Sequence, residues 1–324
     1  MVRIAHQTQL GKYYIGDTER FFRLKKGREL KGKVQLILTS PPFPLNRKKS
    51  YGNLQGEDYK SWFVGLAKVF SDFLTEDGSI VIEMGNSWVS GRPVQSLLHL
   101  ESLIEFVKHP DANLRLCQQF VAYNPSRLPS PAEWVTVQRI RTTDSYTHVW
   151  WMAKTDFPKA DNSKVLRPYS NSMKQLLRKQ QYNSGVRPSE HVLSEEGFLT
   201  DHGGSIAHNF FELEPMNSKR EVRLPNAFSL SNTDANSFFI RTCRERNITP
   251  HPARMPLGLA AFFIQLLTDP DDLVLDPFAG SNTTGFTAEL LNRRWISTEI
   301  KPDYAKQSKI RFEDEILHKS KSKG

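Results

Sequence analysis

The hydrophobic pattern divides the chain into three parts. Short apolar runs alternate with helical stripes as far as Lys154, the patterning fades to about residue 250, and it then resumes. In the first part Tyr13-Tyr14-Ile15 reads as a short strand ending in Gly16-Asp17, and Thr18–Leu24 as a helix that Asp17 or Thr18 can cap. Val34–Leu38 is a continuous apolar run, as in a buried strand. Between Asp58 and Leu74, Tyr59, Trp62, Phe63, Leu66, Phe70, Phe73 and Leu74 form a stripe at helical spacing. Asp77-Gly78 turns the chain into a strand over Ser79–Asn86, and Leu97–Val107 is a second amphipathic helix. Leu116–Tyr123 and His148–Met152 are further strands, separated by the proline-rich excursion Asn124–Pro131. In the last part Pro256 can open a helix over Leu257–Leu267 that is apolar almost all round, and so buried. A buried strand Leu273–Leu275, a helix through Leu291, a strand Trp295–Glu299 and a helix over about Tyr304–Leu317 follow. The tail Lys319–Gly324 is expected to be disordered. Strands alternating with helices predict an α/β fold with a mainly parallel sheet.

The chain has 324 residues, enough for one large domain with an insertion or for two domains. The stretch after Lys154 is polar and too long for a plain loop, which favours a functional insertion over a linker. No apolar run matches a membrane helix, and Met1–His6 is not followed by the apolar core of a signal peptide. Two cysteines, Cys117 and Cys243, argue against a disulfide framework and for a reducing cytoplasm. The net charge of +9 suits a nucleic-acid partner, although a merely solvated basic surface would give the same number.

Two stretches carry candidate chemistry. Thr39-Ser40-Pro41-Pro42-Phe43 follows the Val34–Leu38 strand, and its prolines force the chain out of the sheet. The turn offers a hydroxyl, a rigid carbonyl and an aromatic ring at the strand end, where ligands of open α/β sheets bind. That set can grip a flat base carrying an exocyclic amine; a turn with a core phenylalanine is the plain alternative. The second stretch is the strand Leu273–Leu275, the small-residue turn Asp276–Gly285, a helix, and a strand ending in Glu299. Glycine admits a ligand to the backbone, the helix start offers N–H groups to an anion, and Glu299 can accept both hydroxyls of a ribose. With neither G-x-G-x-x-G nor a P-loop lysine, NAD and ATP fit poorly. A ligand with a ribose and a carboxylate, such as S-adenosylmethionine, fits better than mere strand–helix packing.

Together, Ser40-Pro41-Pro42-Phe43 and Asp276-Pro277-Phe278-Ala279-Gly280-Ser281 resemble the beta-type, permuted DNA amino-methyltransferases, in which the catalytic turn precedes the cofactor loop. The likeness extends over nearly the whole chain and is weakest between about Phe210 and Thr249. Serine in the first place resembles the N4-cytosine group, whereas adenine-N6 enzymes usually carry Asp there. The resemblance implies a Rossmann-like, S-adenosylmethionine-dependent methyltransferase fold with a seven-stranded, mainly parallel sheet containing one reversed strand. It implies a catalytic part over 1–154, a target-recognition region over 155–250 and a cofactor part over 251–318.

The implied roles carry over residue by residue. Ser40, Pro41, Pro42 and Phe43 match the catalytic turn. Asp276, Phe278, Gly280 and Glu299 match cofactor positions, with Ser281 and Thr283 near the methionine carboxylate, Asp17 on the adenine amino group, and Arg254 in the segment over the methionine end. Arg47, Lys48 and Lys49 are expected phosphate contacts, and His202, Gly203, Gly204 and Ser205 candidate groove contacts. Arg139 and Arg141 suit phosphate contact or plain surface equally. Trp150 and Trp151 read as core. No metal is expected. The expected partner is double-stranded DNA, methylated by a monomer beside a restriction endonuclease that it does not touch, at a CAGCTG-like site.

The chemistry fits this set. Cytosine N4 is a poor nucleophile because its lone pair is delocalised into the ring. An acceptor at Ser40 and the Pro41 carbonyl can each take one N–H and localise that pair, a gain of positioning and electrostatics. Phe43 can stack on the base, which must leave the duplex at a cost of roughly a few kcal/mol. Cytosine-C5 transfer would need a Pro-Cys pair, which neither cysteine provides. Adenine-N6 transfer, or a non-catalytic DNA-binding protein on the same scaffold, stay open at this point.

Overall fold

The computed structural model describes residues 1–43, 54–182, 184–194, 197–214, 230–231, 238–251 and 254–313. The N-terminal part runs β1 (Arg3–Gln7), β2 (Gly11–Ile15), α1 (Thr18–Arg23), α2 (Lys25–Arg28), β3 (Val34–Thr39), α3 (Gly56–Phe73), β4 (Leu74–Gly85), α4 (Leu98–Val107), β5 (Arg115–Tyr123) and β6 (Tyr146–Ala153). The polar stretch holds α5 (Asn171–Lys179), the small hairpin β7 (Gly185–Val186) and β8 (Val192–Leu193), β9 (Phe210–Glu214), β10 (Leu230–Ser231) and α6 (Phe238–Glu245). The chain closes with α7 (Leu257–Leu267), β11 (Leu273–Asp276), α8 (Thr283–Leu290), β12 (Arg294–Glu299) and α9 (Pro302–Ser308).

Ten of these strands form one sheet in the order β1-β2-β12-β11-β3-β4-β6-β5-β9-β10. From β2 to β4 all neighbours are parallel, and β6 runs against both β4 and β5. The seven strands from β2 to β5 are therefore the expected sheet with one reversed strand. The strand count differs because the edges are extended: β1 adds antiparallel to β2, and β9 then β10 add parallel beyond β5. β1 gave no pattern to read, since nearly all of Arg3-Ile4-Ala5-His6-Gln7 is exposed.

Continuous apolar strands need cover on both faces. Leu36 and Leu38 face α7, of which Leu259, Phe263 and Leu267 are fully buried. Ile37, Ile80 and Ile82 face α3 through Phe63, Phe70 and Phe73. Each such side chain contributes about 1.5–3 kcal/mol by burial. The expected Asp77-Gly78 turn is a bulge inside β4: β3 residues Val34 and Leu36 pair with Leu74 and Ser79. The expected last helix ends at Ser308 and passes into a tight 3-10 turn, Lys309–Glu313; residues beyond Glu313 lie outside the described part. No helix among the described residues is long and apolar enough to cross a membrane.

The chain leaves β3 for β4 on one side and β11 for β12 on the other, so the β3/β11 boundary is the topological switch point. Ligands of such sheets bind there, outside the carboxyl ends of the strands.

Candidate active site

Thr39, Asp276 and Glu299 end the adjacent strands β3, β11 and β12. Across the switch point Thr39 Oγ1 donates to Asp276 Oδ1 at 2.7 Å, and the same oxygen accepts Phe278 N–H at 3.1 Å. Burial pushes the Asp276 carboxyl up to about 6 despite these bonds. The carboxylate thus braces both candidate turns from between them.

The Asp276–Gly285 turn is built to admit a ligand. Pro277 O accepts the hydroxyls of Thr18, at 2.5 Å, and Thr298, at 2.8 Å, which fixes α1 to the loop. Tyr13 Oη donates to Gly280 O at 2.7 Å. Gly280 has φ +50°, and a Cβ there would lie 3.0 Å from the His251 ring, so only glycine leaves the space open. Glu299 is buried; its Oε2 accepts Gly280 N–H at 3.0 Å and Oε1 accepts Lys301 N–H at 2.8 Å. Each oxygen keeps lone-pair capacity for a further donor, as two ribose hydroxyls require. Burial raises its pKa, and those N–H groups oppose the rise.

Phe278 is half-buried, and the Trp62 ring of α3 stands edge-on to it at 5.6 Å, a pair suited to a flat aromatic ligand. Gly16 N–H donates to Glu299 O at 2.8 Å, which sets Asp17 at the mouth of this region. There Asp17 caps α1 by accepting Arg20 N–H at 2.7 Å. Ser281 and Thr283 are buried at the start of α8, and Arg254 donates to the His251 carbonyl. The fit to S-adenosylmethionine therefore rests on an acid for the ribose, an open glycine cradle and a helix start for a carboxylate.

In the candidate catalytic turn Pro41 is buried, and Ser40, Pro42 and Phe43 are half-buried. Phe43 packs on the β4 glycine Gly85, where a Cβ would lie 2.6 Å from two ring carbons. Ser40 brings in a residue that sequence reasoning missed: its hydroxyl lies beside the Glu83 carboxyl and favours its ionised form. Thr147 Oγ1, from the reversed strand, donates to Glu83 Oε1 at 3.2 Å. Burial pushes Glu83 up to about 7, against both hydroxyls and the charge of Arg127. A Ser40 hydroxyl that donates to an ionised Glu83 leaves its oxygen to accept from an amine.

Arg47, Lys48 and Lys49 lie outside the described residues. Gly203 (φ +80°), Gly204 and Ser205 form a tight turn in the polar stretch, locked by paired backbone bonds between Ser205 and Arg167 at 2.8 Å each. His202 is exposed beside it, its N–H bonded to Tyr169 Oη at 2.8 Å. The exposed Arg139 and the half-buried Arg141 lie on the β5–β6 connection, Arg141 paired with Asp144 at 3.3 Å. Trp150 is core, and Trp151 donates to Ser79 Oγ at 2.9 Å. Burial raises the thiols of Cys117, to about 11, and Cys243, which disfavours either as a nucleophile.

Known proteins give the same picture. A family profile described as DNA methylase, of the N6/N4 methyltransferase type, matches residues 34–310. The type II methyltransferase M.PvuII of Proteus hauseri is 40% identical over 319 residues, 98% of this chain and 88% of its own. The structure of the PvuII DNA methyltransferase, described as cytosine-N4-specific, superposes with a TM-score of 0.71 at 34% identity, covering 99% of this chain and 93% of that one. The M1.HpyAVI–SAM complex shares the fold alone, with a TM-score of 0.52 at 18% identity over 93% of this chain and 98% of that one. With the family profile and the full-length relative in agreement with the geometry, the chain belongs to the N6/N4 family of DNA methylases.

Proposed function

We propose that the chain is an S-adenosylmethionine-dependent DNA methyltransferase acting on the exocyclic N4 of a cytosine flipped out of duplex DNA. The observation that carries this reading is the Thr39–Asp276 hydrogen bond, which holds the Ser40–Phe43 turn, with Glu83 beside its serine, against the strand that leads into the Asp276–Gly285 turn. When bound, S-adenosylmethionine supplies a methyl group on a positively charged sulfur, open to attack by a neutral amine.

The chain's own task is to make that amine a nucleophile and to take its proton. The Ser40 oxygen and the Pro41 carbonyl accept the two N4 hydrogens and localise the lone pair. Phe43, held against Gly85, stacks on the ring. Glu83 receives through Ser40 the proton that the methylated amine sheds, so no strong base is needed beforehand. Glu299 holds the ribose hydroxyls, Asp17 the adenine amino group, Phe278 the adenine face, and Ser281, Thr283 and Arg254 the methionine end, with Gly280 leaving the room.

Residues 1–154 serve as the catalytic part, 155–250 as the target-recognition region and 251–318 as the cofactor part. Arg47, Lys48 and Lys49 neutralise phosphates and supply affinity, and the His202–Ser205 turn enters the groove. The biological setting is restriction–modification at a CAGCTG-like site, with the enzyme monomeric, cytoplasmic and bound to the host's DNA. The Ser40→Ala variant tests the mechanism: it keeps S-adenosylmethionine binding and loses most of the methyl transfer. Wild-type turnover in that variant would overturn the role given to Ser40.

A further inference from the structure

Arg311 lies in the 3-10 turn after α9, in the part expected to continue the last helix, and it is only 3% exposed. Its Nε donates to the Ser281 carbonyl at 2.8 Å, and its Nη2 donates to Ser281 Oγ at 3.0 Å. One face of the guanidinium lies 4.2 Å from the ring centre of Phe239, a buried residue of α6. A buried guanidinium is costly to desolvate, so the two donors it gives to one serine call for a reason.

The turn it holds needs holding. Ser281 stands between Gly280 and Asn282, both in the left-handed region at φ +50° and +62°. The two bonds come from one planar, charged fork, which fixes carbonyl and hydroxyl together. A hydroxyl carries one proton. Since Ser281 Oγ accepts from Arg311, its own proton points away from the guanidinium and is free to donate to a ligand. The first turn of α8, which starts two residues later, adds N–H groups and the positive end of the helix dipole.

We propose that Arg311 is a positioning residue for the cofactor, fixing the Ser281 turn so that the serine hydroxyl, backed by the guanidinium charge, meets the methionine carboxylate of S-adenosylmethionine. This rests on the placement of the methionine end at Ser281. Phe239 braces the guanidinium and so ties the cofactor turn to α6, the helix that closes the polar stretch.

Calorimetric titration of the full-length protein tests this with two probes: S-adenosylmethionine, and 5′-methylthioadenosine, which keeps the nucleoside and lacks the amino-acid end. Lysine keeps the charge of Arg311 but not the fork, so Arg311→Lys weakens S-adenosylmethionine about 10-fold and 5′-methylthioadenosine less than about 2-fold. Ser281→Ala weakens S-adenosylmethionine in the same selective way. The double variant is no weaker than Arg311→Lys alone, because the two side chains act as one unit. Phe239→Leu, which leaves both bonds in place, gives a smaller selective loss of about 3-fold. If Ser281→Ala weakens binding and Arg311→Lys does not, the role of Arg311 is refuted while the placement survives. If neither does, the placement itself is wrong. An equal loss of both probes in Arg311→Lys and Phe239→Leu would make Arg311 a fold support and overturn the proposal.

Discussion

The Thr39 hydroxyl donates to Oδ1 of Asp276 at 2.7 Å, joining residues 237 positions apart in the chain. Thr39 immediately precedes the proposed catalytic turn and Asp276 ends the strand that leads into the proposed cofactor turn. Two segments that are far apart in sequence thereby share one buried carboxylate at the point where the sheet reverses its winding. The permuted order of the chain has no effect on the site, because the parallel pairing of β3 with β11 restores the neighbourhood.

Asp276 is held in the fold at a cost. Its carboxyl rises from 3.8 to about 6 by burial, so the folded state binds a proton more tightly than the unfolded chain. A raised acid takes stability away as pH climbs from about 4 to about 6, here on the order of 3 kcal/mol at neutral pH. Asp276→Asn is therefore expected to gain stability relative to wild type across that window. Urea unfolding without cofactor at pH 4 and pH 7 checks it; a difference that does not change with pH contradicts the assignment.

Glu83 gives the pH dependence of turnover. Its carboxyl must be ionised to accept the Ser40 proton, and its pKa stands at about 7. Single-turnover methylation in wild type should rise with pH through that value. Glu83→Gln should flatten the limb and slow transfer about 10-fold, because the Ser40 hydroxyl loses the charged acceptor that leaves its oxygen to the amine. A profile unchanged by the substitution would remove Glu83 from the reaction.

Gly85 keeps the Phe43 ring in place by having no side chain. A Cβ would come within 2.6 Å of ring atoms Cδ2 and Cε2, so Gly85→Ala must displace the ring by roughly 1 Å to restore ordinary contact. Displacement of that size can cost about 100-fold in rate. The expected result is a fall in kcat with S-adenosylmethionine affinity within about 2-fold of wild type, as cofactor contacts are untouched. Normal kcat would mean that Phe43 does not set the base.

Much of the fold was legible because burial on two faces leaves long apolar runs. Val34–Leu38 became β3 with one residue added, and α7 occupies the expected Leu257–Leu267. What sequence could not show depends on pairing. β1 is a mostly exposed edge strand paired with β2, and the Asp77-Gly78 turn stays within a strand because β3 skips past it. Both candidate turns are marked in the sequence by their prolines and glycines. Glu83 was passed over as one residue of a strand, although a lone carboxylate in Ile80-Val81-Ile82-Glu83-Met84 was a signal, since an acid in an apolar strand needs a partner. Arg311 carried no such mark: its burial follows from the chain turning after Ser308, which helical patterning does not disclose.

The most direct test of the central claim is nucleoside analysis of plasmid DNA methylated by the purified chain with S-adenosylmethionine. The account predicts N4-methylcytosine, and its loss in Ser40→Ala. Finding only N6-methyladenine would contradict the cytosine assignment.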